Sequence, residues 1–183
     1  KAPKRDILRY WVLAWFGYGA SSLTFFLALQ HADSSVASAL LYAYPALVAL
    51  GTTFFFKEPF SKQKGLSILI VALGSVCVVG LFGGGKVHVD ALGIILAFSS
   101  AVCYAAFNLM SQRWMPGRSS MTMMSFTFAF AAVGFIGLTT IFNGPHAFFA
   151  ATDWSLRSWI IMLTIVIFPT VAAISLYMRG VRQ

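Results

Sequence analysis

The stretch "YAYPALVALGTTFFFKEPFSKQKG", residues Tyr42–Gly65, sets a proline in the middle of a long apolar run and closes the run with Lys57-Glu58. A proline has no N–H and its ring clashes with the preceding turn, and a charge resists an apolar interior, so a buried soluble helix avoids both. The sequence around it resolves the conflict. Apolar runs fall at approximately 10–30, 34–56, 65–82, 91–111, 121–142 and 156–178, each near the roughly 20 residues that carry a helix across a bilayer's hydrocarbon core. The 183-residue chain is 59% hydrophobic and 10% charged, against about 25% charged in a soluble domain. In hydrocarbon every backbone group must be paired internally, so these runs are helices. The chain reads as an all-α, polytopic transmembrane helix bundle with six helices present.

Short breaks carry the punctuation that helix ends need. Asp33, Ser34 and Ser35 can cap the second span, and Gly83-Gly84-Gly85 ends the third. Pro116-Gly117 separates the fourth from the fifth, and Asn143-Gly144-Pro145 closes the fifth. Sorting the cations by loop then gives the orientation. Lys1, Lys4, Arg5 and Arg9 precede the first span, and Lys57, Lys62 and Lys64 follow the second. Arg113 and Arg118 follow the fourth, and Arg179 and Arg182 follow the sixth. Eleven of the 13 cations therefore share one side, and only Lys86 and Arg157 take the other. Short-loop Lys/Arg bias places the richer side in the cytoplasm, so both ends of the segment are expected inside, in a plasma or bacterial inner membrane. The net charge of +8 is thus a topology signal, and no nucleic-acid partner is needed to explain it.

The remaining polar chemistry excludes several classes. Cys77 and Cys103 lie inside apolar runs and read as small core residues. His31, His88 and His146 are far apart, with no metal-ligand spacing, so neither a metal nor a cofactor is expected. The basic start followed by an apolar run mimics a signal peptide, but the run is too long and lacks a small-x-small cleavage site before Asp33, so it reads as a span. No acid or base lies deep in a span. That argues against an intramembrane protease, which needs a buried Asp pair or a Ser/His dyad, and against a cation channel ringed by acids.

A faint repeat is also present. "LRYW" at Leu8–Trp11 returns as "LRSW" at Leu156–Trp159, 148 residues on, each opening a long apolar helix. Five spans separate them, so the two helices run in opposite directions, as in the inverted repeats of transporters. The offset puts counterparts of the fourth and fifth helices before Lys1. It puts those of the second and third, with a proline matching Pro45, after Gln183. Residues 1–82 are then the last three helices of one five-helix repeat and 91–183 the first three of the next, both truncated.

The segment resembles the drug/metabolite transporter superfamily, in particular its EamA-like exporters and permeases. The resemblance is strongest over Ala28–Gly80, with Pro45 in the repeat's fourth helix, Glu58 at its end, and Gly65 and Gly74 in the fifth. That pattern usually has an apolar residue after the acid, where this chain has Pro59. The resemblance implies a multi-pass transporter of small organic metabolites working by alternating access. The alternative is a non-transporting scaffold or receptor of the same fold. Expected partners are a small-molecule solute and the lipid bilayer, with a homodimer left open.

Within the spans, Pro45 and Pro169 read as kinks or hinges, since each leaves a carbonyl one turn back without its N–H. Tyr42 and Tyr44 flank the first of them. In the fourth helix Ser100, Tyr104, Asn108 and Gln112 recur every four residues and share one face. Polar groups at that depth face a bundle interior or a water-filled cavity. Ser22, Tyr42, Tyr44, Ser100, Tyr104 and Asn108 are the substrate-path candidates, against the plainer role of hydrogen bonding between helices. Lys57 and Glu58 form the expected cytoplasmic helix-end pair, where water and headgroups are at hand.

Overall fold

A computed structural model describes residues 4–77, 90–114, 116, 120–144, 155–161 and 163–164. Among these residues there is no β-strand, and between Lys4 and Asn143 seven α-helices and one π-helical segment follow in order. The first span is continuous: α1 (Lys4–Val12) runs into a π-helical segment (Leu13–Gly19) and on into α2 (Ala20–Ala28). The second is α3 (Ser34–Leu41) and α4 (Tyr44–Phe55); α5 (Lys62–Val76), α6 (Ala91–Trp114) and α7 (Ser120–Asn143) complete the set. Four stretches, Asp6–Ala28, Ser34–Phe55, Ala91–Trp114 and Thr122–Phe142, are long and apolar enough to cross a membrane. They coincide with the first, second, fourth and fifth of the expected spans. The third span is described only through Cys77. The sixth is helical over 156–161 and 163–164, and Pro169 lies outside the described residues.

The chain divides into two compact units, Lys1–Phe135 and Ile136–Gln183. In the second unit Ser155 opens a helix, its Oγ accepting the Ser158 N–H at 3.3 Å.

In the first unit α6 packs against the π segment, α2, α3 and α4. The reason lies in its sequence: Gly93, Ala97, Ala101 and Ala105 recur every four residues and all are buried. Helices in lipid gain little from apolar burial, so close backbone approach along such small-residue faces is what holds them together. Ala97 meets Ala28 and Ala37 in one tight cluster, edged by Phe25, Leu29, Leu40 and Leu96. A second cluster joins Tyr10 and Leu13 to Met123 of α7, with Phe107, Met110, Trp114 and Phe130 around it.

Both ends of the unit are tied by polar contacts where water is available. At one end Asp90 caps α6, its Oδ1 accepting the Gly93 N–H at 2.7 Å, while Oδ2 meets His31 Nδ1 at 2.9 Å. Gly93 has to be glycine, because a Cβ there would sit 2.7 Å from the His31 carbonyl. At the other end Ser61 caps α5 by accepting the Lys64 N–H at 3.2 Å.

Candidate functional site

Two departures from regular α-helix lie near the middles of their spans. The first is at Pro45. With no N–H there to reach the Leu41 carbonyl, α3 stops at Leu41, and the Ala43 N–H reaches back only three residues, to Leu40 O at 3.1 Å. Then α4 restarts with Pro45 in its first turn, where a missing N–H costs little. The expected kink is therefore a full interruption, two helices with Tyr42 and Ala43 between them. The second departure is the π segment. The Ala20 N–H reaches back five residues to Trp15 O, and such widened turns are frequent at functional sites. Gly17 lies in this segment against Phe107 of α6, whose Cβ would be 2.8 Å from any Cβ at position 17.

Between these irregularities lies a cavity of about 340 Å3. Tyr18 of the π segment, Ser21, Ser22, Phe25 and Phe26 of α2 form one part of its wall. Leu41 and Tyr42 at the end of α3, Tyr44 at the start of α4, and Ser100 and Tyr104 of α6 form the rest. Five of the six substrate-path candidates, Ser22, Tyr42, Tyr44, Ser100 and Tyr104, thus come together from four elements. No Asp, Glu, Lys, Arg or His is among the lining residues. Two larger hollows of about 420 and 570 Å3 flank the end of α4, but Arg113 and Thr53 are the polar side chains in their otherwise apolar walls.

The lining residues differ in what they can offer a solute. Ser100 is fully buried and clasped to Ser21: its Oγ donates to Ser21 O at 2.8 Å, and Ser21 Oγ reaches Ser100 O at 3.0 Å. These hydroxyls hold α2 to α6. Tyr44 and Tyr104 pack edge to face, centroids 4.6 Å apart and planes 86° apart. Phe107 stacks on Tyr104 at 5.9 Å and meets Tyr18 at 6.2 Å, which in turn meets Phe128 at 5.0 Å. A line of rings from α4 through α6 to α7 therefore backs the cavity. Tyr42, by contrast, is 64% exposed. Asn108 stands apart from the lining, one turn beyond Tyr104, with its Nδ2 donating to the Tyr104 carbonyl at 2.8 Å.

At the end of α4, Lys57 adopts the left-handed backbone (φ 55°) and turns the chain sharply. Glu58 pairs with Lys64 at 2.7 Å rather than with its sequence neighbour. The same Lys64 Nζ donates to Thr52 Oγ1 at 3.1 Å, so one ammonium ties the loop and α5 back onto α4. The hydrogen bond and charge of Lys64 hold the Glu58 carboxyl below the ordinary carboxylate range. Among the described residues no cluster of His, Cys, Asp or Glu could hold a metal ion.

Sequence reasoning missed Tyr18. The glycine pair Gly17 and Gly19 around Tyr18, inside an apolar run, was the available signal for the π segment.

The stretch that builds most of this cavity also carries a family likeness. Residues 1–80 match the EamA-like transporter family. The matched region contains the π segment, the Pro45 interruption and the Glu58–Lys64 clasp, and takes in all of Ala28–Gly80, where the resemblance in sequence is strongest. Over all 183 residues the chain is 25% identical to the uncharacterized transporter YxxF of Bacillus subtilis (strain 168), covering 56% of that protein. The chain thus spans a little over half the length of the curated relative it matches. No solved structure gives a significant match. With four membrane-length helices, this is a multi-pass membrane protein whose matches are to transporters.

Proposed function

We propose that the chain is the central part of a transporter of small organic metabolites, and that its solute path runs through the cavity between α2, the α3–α4 break and α6. The single observation that carries this reading is the break itself. A membrane span is interrupted at its centre, and irregular backbone at that depth is tolerated where it is packed in protein or lines a cavity. Here it opens on a cavity edged by hydroxyls and aromatic rings, the kind of lining that orients a small solute. Discontinuous helices at the midplane are also where transporters of the inverted-repeat kind bind their solutes. On this reading residues 1–82 and 91–183 belong to two inverted five-helix repeats that rock against each other, with both ends of the segment cytoplasmic.

The test is uptake by the full-length chain in liposomes, screened over amino acids, nucleosides and other small metabolites. Ser22→Trp fills the cavity from its α2 wall and is expected to abolish uptake while the protein remains folded and inserted. A chain that moves no solute in the screen would support the scaffold or receptor reading. Unchanged uptake in Ser22→Trp would remove the cavity from the path.

A further inference from the structure

We infer that the hollow between the ends of α4 and α6 is a binding site for one anionic phospholipid, its acyl chain in the hollow and its phosphate on Arg113. The hollow measures about 420 Å3 and is walled by Phe55 and Phe56 at the end of α4 and by Ala106, Leu109, Met110 and Arg113 of α6. It shares no lining residue with the solute cavity, so the inference stands apart from the transport reading. Apart from Arg113 the lining side chains are apolar, and a water molecule, which needs about two to four polar partners, finds too few there. Hydrocarbon fills such a recess at no such cost, and in a bilayer the hydrocarbon at hand is acyl chain. Depth fits as well. The membrane-length stretches Ser34–Phe55 and Ala91–Trp114 both end here. The mouth of the hollow therefore lies at headgroup level, where Trp is enriched and long cationic side chains reach the interface.

The charges at this end select the headgroup. Asp6 lies 3.6 Å from Arg9, and Glu58 lies 2.7 Å from Lys64. Arg9 also sits over the Trp114 ring, 6.0 Å from its centroid, which puts Asp6 and Arg9 at the same end as Arg113. Both acids here are thus matched by a cation. Among the described residues Arg113 has no ion-pair partner, and neither has Lys57, which follows Phe56. The guanidinium offers a fork of donors that fits a phosphate, and basic pockets between membrane helices hold anionic headgroups in this way. The carbonyl ends of α4 and α6 repel an anion, so the hold falls to the side chains. A zwitterionic headgroup brings its own cation up against Arg113 and Lys57 and gains less. A second copy of the chain in the same orientation is the poorer occupant. Of the other described acids, Asp33 and Asp90 stand at the opposite end, at the starts of α3 and α6.

The test is native mass spectrometry of the purified, delipidated full-length chain with three probes. These are phosphatidylglycerol, phosphatidylcholine with the same acyl chains, and glycerophosphoglycerol, which has the charged headgroup and no chains. One phosphatidylglycerol is expected to stay bound, at least about fivefold more tightly than phosphatidylcholine, and the chainless anion is expected not to bind. Arg113→Gln should erase the preference and Arg113→Lys keep most of it. Lys62→Gln, which removes an equal charge from the start of α5, should change nothing. Ala106→Phe fills the hollow and should displace both lipids; if that variant does not fold, the Arg113 variants decide alone. Equal binding of the two lipids overturns the inference, and so does an equal loss in Lys62→Gln, the mark of diffuse surface charge. Lipid binding that survives in folded Ala106→Phe also overturns it, because another helix of the full-length chain or a second copy then covers the hollow. Tight binding of glycerophosphoglycerol would make the site one for a soluble phosphate instead.

Discussion

At the scale of single residues, position matters more than polarity. Asn108 and Tyr104 share a helix face, yet only Tyr104 reaches the cavity; the Asn108 amide is turned onto its own helix. Asn108→Leu removes one bond to a carbonyl that its helix already serves. It is therefore expected to change solute uptake by no more than about twofold, the range of substitutions away from special sites, with the melting temperature in detergent unchanged. A large loss of uptake with normal stability would return Asn108 to the path. Glu58 gives a residue-scale prediction with a sign. Its carboxyl is held below the ordinary glutamate value by its hydrogen bond to Lys64 and that residue's charge, so the folded state favours the ionised form. Its contribution is present above that value and fades as pH falls through the lower, folded one. Glu58→Gln should therefore lower the melting temperature at pH 7, converge with the parent protein once acid has protonated the carboxyl in both states, and lose much of its effect in high salt, because the pair is exposed. A pH-independent difference would mean the side chain acts by something other than its charge.

At the scale of elements, the α3–α4 break is the device that distinguishes this bundle from a set of plain spans. Pro45→Ala returns the N–H that can reach the Leu41 carbonyl, a bond of about 1 kcal/mol, and favours one continuous helix. The break is then held straight in whichever state the path must bend. Maximal uptake rate should fall by about fivefold, while the solute concentration for half-maximal rate changes little. A change confined to half-saturation would make Pro45 a binding element instead. The proline was readable in the sequence because no other residue lacks the N–H, and the charge sort predicts a direction for the spans that labelling can check. The π segment was signalled only by the glycine pair Gly17 and Gly19, and the packing of Gly17 on Phe107, from a helix about 90 residues on, was not readable. The same holds for Glu58. Lys57 stands beside it in sequence, but the left-handed turn at Lys57 delivers Lys64 instead. The stripe on α6 was legible as a face. Which of its members would meet the cavity depended on where α2 and the α3–α4 break packed against it.

At the scale of the whole molecule, membrane orientation is the property on which the solute path depends. The end of α2 and the loop between α4 and α5 are separated by one membrane span, α3 and α4. The cation count predicts that the α4–α5 loop, with Lys57, Lys62 and Lys64, is cytoplasmic. The His31–Asp90 end, which carries no Lys or Arg between Gln30 and Ser35, is then expected outside. Gln30 and Gln63 are both exposed and sit at these two ends. Single cysteines at the two positions, introduced after Cys77 and Cys103 are replaced, should react from opposite faces with a membrane-impermeant thiol reagent. In intact cells Gln30→Cys is expected to be modified and Gln63→Cys protected; opening the cells should expose the second without altering the first. The reverse pattern would invert the molecule and put the lysine-rich loop outside, against the charge rule. Labelling of both in intact cells would mean that Ser34–Phe55 does not cross the membrane. In that case the Pro45 break would no longer lie at mid-depth, and the argument for a solute path there would lose its foundation.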